Sequence, residues 1–178
     1  MAPFSAQEQE KQALDWLILR DGGIALYWRR EYLNEDLEWF RQQSYQIYSF
    51  ACEKWTPDEM HADFARTLGF PSYYGDNLDA LDECLKDLSV PERGGMLIVL
   101  NQFDTFCKGS GASHPRSERP YAEIVLDILA RASGYFLLTG RRFLTLVQPD
   151  DPRLHFERLA GVGATWNWRE WRYSDRGL

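Results

Sequence analysis

Cysteine is scarce and odd in number: Cys52, Cys84 and Cys107 are the only three, and none is in a C-x-x-C pair. That count excludes a disulfide framework and a thiolate zinc site. Histidine is equally sparse. His61, His114 and His155 lie far apart, and no set of three or four ligands converges around any of them in sequence. No metal and no cofactor is therefore expected, and His61, inside a helical stretch, reads as a helix-surface residue. Neither a glycine-rich phosphate loop nor a G-x-S-x-G elbow is present, so no catalytic residue is nominated. Long apolar runs are also missing. Nothing approaches the roughly 20 residues that cross a bilayer, and the N-terminus has no basic region ahead of an apolar block. The expectation is a cytoplasmic protein that meets no membrane and works as a monomer.

What is present is an ordinary globular composition with an unusual charge distribution. The 178 residues are 44% hydrophobic and 26% charged, enough for one sizeable core. The net charge is −7. Residues 1–140 hold 13 Lys and Arg against 22 Asp and Glu, a net of −9, whereas residues 141–178 hold 7 against 5, a net of +2. A body this acidic repels nucleic acid and attracts basic proteins, so no nucleic-acid partner is expected.

Along the chain, Ser5 with Glu8 forms a capping-box pattern ahead of Leu14, Leu17 and Ile18, and Asp21-Gly22-Gly23 stops that helix. Ile24–Trp28 reads as a strand, and Asn34 can cap a helix carrying Leu37 and Phe40 to about Gln43. Tyr45–Ala51 alternates as a strand. Thr56-Pro57-Asp58-Glu59 combines a cap, a proline at the first helical position and a box-closing Glu, with Gly69 placed to end the helix. Met96–Leu100 is a continuous apolar run, as in a strand buried on both faces. Asp104–Arg119, rich in Gly, Ser and Pro, reads as a loop. Pro120 opens a helix stopped by Ser133-Gly134, and Tyr135–Thr139 reads as a buried strand. Phe143–Val147 follows, then a Pro/Asp break, then Trp166, Trp168, Trp171 and Tyr173 interleaved with Arg169 and Arg172. Aromatics among arginines can stack on single-stranded nucleic acid. In so acidic a chain, an edge strand packed on the N-terminal segment is the preferred reading.

The most informative stretch runs from Pro71 to Leu85. Asp76 or Asn77 can cap a helix reaching about Leu88. At 100° per residue, Leu78, Leu81, Cys84, Leu85 and Leu88 share the buried side. Asp76, Asp79, Glu83 and Asp87 lie opposite, with Asp82 at the border. Asp79 and Glu83, four apart, point the same way. Such carboxylates can simply complement the helix dipole and solvate a face, or they can be aimed at a cationic partner beside two flat tyrosines. Periodicity does not choose between these. As an acid/base pair they lack the contrasting environments that would split their pKa values.

Tyr73-Tyr74-Gly75-Asp76-Asn77-Leu78-Asp79-Ala80-Leu81, followed by Cys84-Leu85, resembles the signature of the barstar-like ribonuclease inhibitors over about residues 45–140. The resemblance implies an α/β fold, a small parallel β-sheet packed with helices, forming a core at residues 44–140. Residues 1–43 (helix, strand, helix) and 141–178 (with an aromatic strand) would be additions packed on it as one unit. It also implies a function: a non-enzymatic intracellular inhibitor of a small basic barnase-type ribonuclease, acting in immunity or in control of RNA degradation. Tyr73, Tyr74, Gly75, Asp76, Asn77, Asp79, Asp82 and Glu83 would form the partner-binding surface. Glu83 stands where the best-known member carries Asp, Asp82 replaces an aromatic, and Arg131 occupies an acidic contact position. The tryptophan expected within Asp87–Gly95 is absent. These departures imply a ribonuclease with an altered basic site, while the 43 residues before the core and 38 after it motivate the alternative of a scaffold reused as an immunity or regulatory module against another basic toxin or protein.

Overall fold

The computed structural model describes residues 13–109 and 119–178; the Ser5–Glu8 capping pattern falls outside them. In chain order the elements are α1 (Leu14–Arg20), β1 (Ile24–Leu26), α2 (Arg30–Gln42), β2 (Tyr45–Ala51), α3 (Pro57–Leu68), α4 (Leu78–Lys86), β3 (Gly95–Asn101), α5 (Phe103–Gly109), α6 (Tyr121–Leu138), β4 (Phe143–Gln148) and β5 (Thr165–Trp166). The five strands form one all-parallel sheet in the order β2-β3-β4-β1-β5. Parallel sheets need cover on both faces, and the alternation along β3 divides that cover. Met96, Ile98 and Leu100 point into a layer with Met60, Phe64 and Leu68 of α3, Leu78, Leu81 and Leu85 of α4, and Val125 and Leu129 of α6. Leu97 and Val99 point into the other layer, with Ile18 of α1 and Leu33, Leu37 and Phe40 of α2. From β1 to β2 the chain crosses two strands beneath α2. It then returns through α3 and α4 on the opposite face. Reversing direction and face together is what a constant crossover hand requires.

Four details depart from the sequence reading. The helix after Pro120 passes through Ser133-Gly134 to Leu138, and 135–139 is not a strand. Ser133 is buried against Gly23, where a Cβ would lie 2.0 Å from the Ser133 hydroxyl oxygen. Phe136 stacks on Phe143 at 5.6 Å. Those tertiary contacts carry the helix past a residue that costs only about 1 kcal/mol there. The central strand is instead β4, paired to β3 and β1, so the sheet continues past residue 140 into the segment read as a C-terminal addition. Residues 103–109, read as the start of a loop, form α5. Buried Phe103 and Phe106 anchor it, and the Asp104 carboxylate accepts from Asp150 N–H and Lys108.

The fourth concerns α2, which begins at Arg30 rather than near Asn34. The acceptor for its start comes from far away in sequence. Glu170, fully buried, accepts the backbone N–H groups of Trp28 at 3.1 Å and Arg29 at 2.8 Å, and also the Asn167 amide. Nearby, Arg169 pairs with Glu35 and Asp36, both at 2.7 Å, and lies 4.4 Å from the Tyr32 ring centroid. The C-terminal segment is thus fastened to α2 at the β1–β5 edge, and of the stretch read as an aromatic strand only Thr165–Trp166 is one. Glu170→Ala removes the fully buried carboxylate that accepts the Trp28 and Arg29 N–H groups and is expected to cost about 3 kcal/mol. The expected readout is a lower urea midpoint at unchanged m-value.

Candidate functional site

The stretch singled out above forms a tight turn entering α4. Gly69, at φ 70°, ends α3 in the left-handed conformation. Pro71 C=O accepts Tyr74 N–H at 2.9 Å. Asn77, not Asp76, caps α4: its Oδ1 accepts Ala80 N–H at 2.9 Å, while its Nδ2 donates to Gly75 C=O at 2.9 Å. A Cβ at Gly75 would sit 2.9 Å from that amide nitrogen, so glycine lets the cap close. Asp76 takes φ 46°, a left-handed geometry that Asp tolerates better than most residues. The result projects the side chains of this stretch in two directions.

Outward go Tyr73, 80% exposed, and the carboxylates of Asp76, Asp79 and Glu83. Among the described residues none of these three carboxylates forms an ion pair. Inward, Leu78, Leu81, Cys84 and Leu85 are buried, while Leu88 is half-buried beyond the helix end. Burial, with Asp87 and Glu83 adding to it, raises the Cys84 thiol pKa. Asp82 goes sideways. One of its oxygens meets Lys86 at 2.5 Å, and the other lies 3.8 Å from Arg131 of α6, too far for a hydrogen bond. Arg131 also pairs with Asp127 at 3.3 Å. Of the eight residues nominated from sequence, then, Tyr73, Asp76, Asp79 and Glu83 share an open acidic surface. Gly75 and Asn77 build the turn, Tyr74 is half-buried, and Asp82 is committed to neighbouring cations.

Tyr74 is held from below by a residue that the sequence reading placed on the surface. His61 is 1% exposed, with Nδ1 hydrogen-bonded to the Tyr74 hydroxyl and Nε2 2.7 Å from the Tyr121 hydroxyl. Phe70 adds an edge contact to Tyr74 at 4.9 Å. The spacing signal was available: His61, Phe64 and Leu68 recur at i, i+3, i+7 on the buried face of α3. A polar residue on that face needs partners, and the two tyrosines supply them. One arrives from the turn and one from α6, which no local pattern reveals. Burial raises both phenols, Tyr121 to about 12 and Tyr74 further, with Asp76 adding to the rise at Tyr74. These hydroxyls therefore stay protonated. Among the described residues no cluster of His, Cys, Asp and Glu is arranged to hold a metal ion.

Burial also lowers the pKa of His61 below the ordinary 6.5, although Asp76 and Asp58 oppose the shift. The unfolded chain therefore takes up this proton first as pH falls. Stability is fully present above about pH 6.5 and declines below it, levelling off only beneath the folded-state value. Urea midpoints measured from about pH 7.5 to 5.5 should fall in the wild type, and less in His61→Gln.

A comparison with family models matches residues 45–148 to Barstar (barnase inhibitor). A search of curated proteins found no match. The matched segment starts at the first residue of β2 and ends at the last of β4, so it includes α3, the acidic turn, α4 and α6. It leaves out α1, β1, α2 and β5. With well over half of its length matched and an all-parallel α/β sheet bearing the signature turn, the chain belongs to the barstar (barnase inhibitor) family.

Proposed function

We propose that this protein inhibits a small, basic ribonuclease of the barnase type by seating the Tyr73–Glu83 surface in its active-site cleft. The observation that carries this reading is the division of carboxylates on α4. Asp82 pairs internally with Lys86 and lies 3.8 Å from Arg131, whereas among the described residues Asp76, Asp79 and Glu83 have no ion-pair partner and stand beside exposed Tyr73. Asp79, in the first turn, complements the helix dipole, but Asp76 and Glu83 gain no cationic partner among the described residues. Opposite a cleft built to hold RNA phosphates, the same carboxylates replace the phosphate charge and accept short, bidentate bonds from arginine. Asn77 and Gly75 fix the turn, and His61 fixes Tyr74 beneath it, so little ordering remains to be done on binding. No residue acts as a catalyst in this reading.

Lys86 and Arg131 favour a partner other than the standard ribonuclease. They balance Asp82 and Asp127 and so leave the α6 side of the acidic strip without free negative charge, and the complementary surface needs no basic group there. A related basic toxin, met by the same scaffold as an immunity protein, fits this pattern equally well.

The test is titration of the purified protein into a fluorogenic RNA-cleavage assay with barnase and a panel of related small ribonucleases. Stoichiometric inhibition of at least one enzyme is expected. Asp79→Ala/Glu83→Ala should weaken it by a factor on the order of 100 or more, and Asp79→Lys or Glu83→Lys should abolish it with circular dichroism unchanged. Raising salt should slow association, since exposed charges are screened beyond about 8 Å at 0.15 M. Inhibition that survives both charge reversals in a folded protein would move the binding face elsewhere.

A further inference from the structure

The acidic surface carries ionisable groups in two layers. Outside stand the carboxylates of Asp76, Asp79 and Glu83. Inside lies His61, buried, with its two ring nitrogens on the hydroxyls of Tyr74 and Tyr121. Tyr74 joins the layers: Tyr73 beside it is exposed, and Asp76 follows two residues later in the left-handed turn. A neutral imidazole donates at one nitrogen and accepts at the other, so one hydroxyl donates to the ring and the other accepts from it. An imidazolium donates at both nitrogens. The hydroxyl that had donated must then turn its proton away, and the change is felt at the turn or at the start of α6.

The groups around the ring leave little to hold that second proton. Tyr74 and Tyr121 are phenols kept neutral by burial, and α4 brings the Cys84 thiol toward Tyr74, also kept neutral. The charges that favour the imidazolium against burial are two carboxylates, Asp76 on the turn and Asp58 in the first turn of α3. Asp76 belongs to the strip assigned above to the cations of a ribonuclease. A cation seated on Asp76 cancels that carboxylate's field at the ring and adds its own repulsion. Covering the turn also excludes water from the groups around Tyr74. Each change disfavours the imidazolium.

We infer, resting on the inhibitor reading, that His61 is a positioning residue that makes the grip on the ribonuclease depend on pH. Any proton on the imidazole leaves for solvent as the partner seats, and its return in mild acid loosens the complex. Linkage makes the effect reciprocal: whatever factor binding takes from the ring's proton affinity, protonation takes from the affinity for the partner. Burial sets the free-state pKa below 6.5, and the complex sets it lower still. Affinity is therefore full above the free-state value and falls as pH drops through it. It levels off beneath the value in the complex. One proton limits the slope to about tenfold per pH unit.

The experiment is the inhibition constant of the full-length protein against barnase and the panel ribonucleases, from about pH 7.5 to 5.0. Wild type, His61→Gln and Asp76→Asn are compared on the same enzyme, which removes that enzyme's own titration from the comparison. Wild-type inhibition should weaken more steeply than that of His61→Gln, by up to about tenfold per pH unit. Asp76→Asn keeps the imidazole but takes away one carboxylate that favours its proton, so its extra slope should set in at lower pH. Isothermal calorimetry at about pH 6 in phosphate and in imidazole buffer, whose ionisation heats differ, should report proton release by the wild type that His61→Gln lacks. A change of packing alone would not move that readout. Equal slopes for wild type and His61→Gln overturn the inference, as does equal proton release. If His61→Gln does not fold, an unshifted onset in Asp76→Asn overturns it instead. Absence of any inhibition at pH 7.5 overturns the inhibitor reading and this inference together, whereas inhibition with equal slopes overturns this inference alone.

Discussion

The buried imidazole of His61 holds together the three elements on which the acidic surface depends. It sits on α3, receives Tyr74 from the turn and Tyr121 from the start of α6, and is closed off from water. A neutral imidazole offers one donor and one acceptor, so with two hydroxyls both of its nitrogens are satisfied at neutral pH. Tyr74 pinned in this way fixes the backbone of the turn from within. Tyr73, one residue earlier, and Asp76, two residues later, then point outward without support of their own. The exposed acidic surface is therefore shaped by contacts made on its buried side.

The second constraint is electrostatic. A chain of net −7 must place its excess carboxylates somewhere, and most pairing here is internal: Asp15 with Arg142 and Tyr45, Asp36 with Arg169 and Tyr27, Asp104 with Lys108. The first two tie α1 and α2 to neighbouring segments of the sheet, and the third lies within α5. Burial raises the pKa of Asp36 even with Arg169 and Tyr27 opposing it, which is the cost of taking a carboxylate out of water. Against that background, Asp76, Asp79 and Glu83 share one exposed edge beside Tyr73 without an ion-pair partner among the described residues.

Much of this was legible in sequence because it is local. The Thr56 capping box, Pro57 and Gly69 specify α3 within a few residues, and the leucine spacing of α4 orients its acidic edge. The unbroken apolar run of β3 announces cover on both faces. What escaped was decided by distant contacts. Gly134 stays helical because Ser133 and Phe136 pack on Gly23 and Phe143. Arg30 starts α2 because Glu170 arrives from 140 residues away. His61 is buried because two tyrosines reach it. In each case a local rule met a tertiary partner worth more than the local preference.

The order of strands explains what the segments outside the family match do. The matched segment supplies β2, β3 and β4, and alone it would leave β4 as an edge with open backbone groups, the exposure that invites mispairing. It would also leave Leu97, Val99, Leu144 and Leu146 uncovered on one face. Here β1 pairs with β4, β5 pairs with β1, and α1 and α2 bury those four side chains. The flanking segments thus complete the sheet laterally and cover its second face. The face carrying α4 remains open for a partner. Sheet completion thus accounts for β1, β5 and the two helices, and it leaves Trp168, Trp171 and Tyr173 exposed at the new edge while Arg176 is buried beneath them.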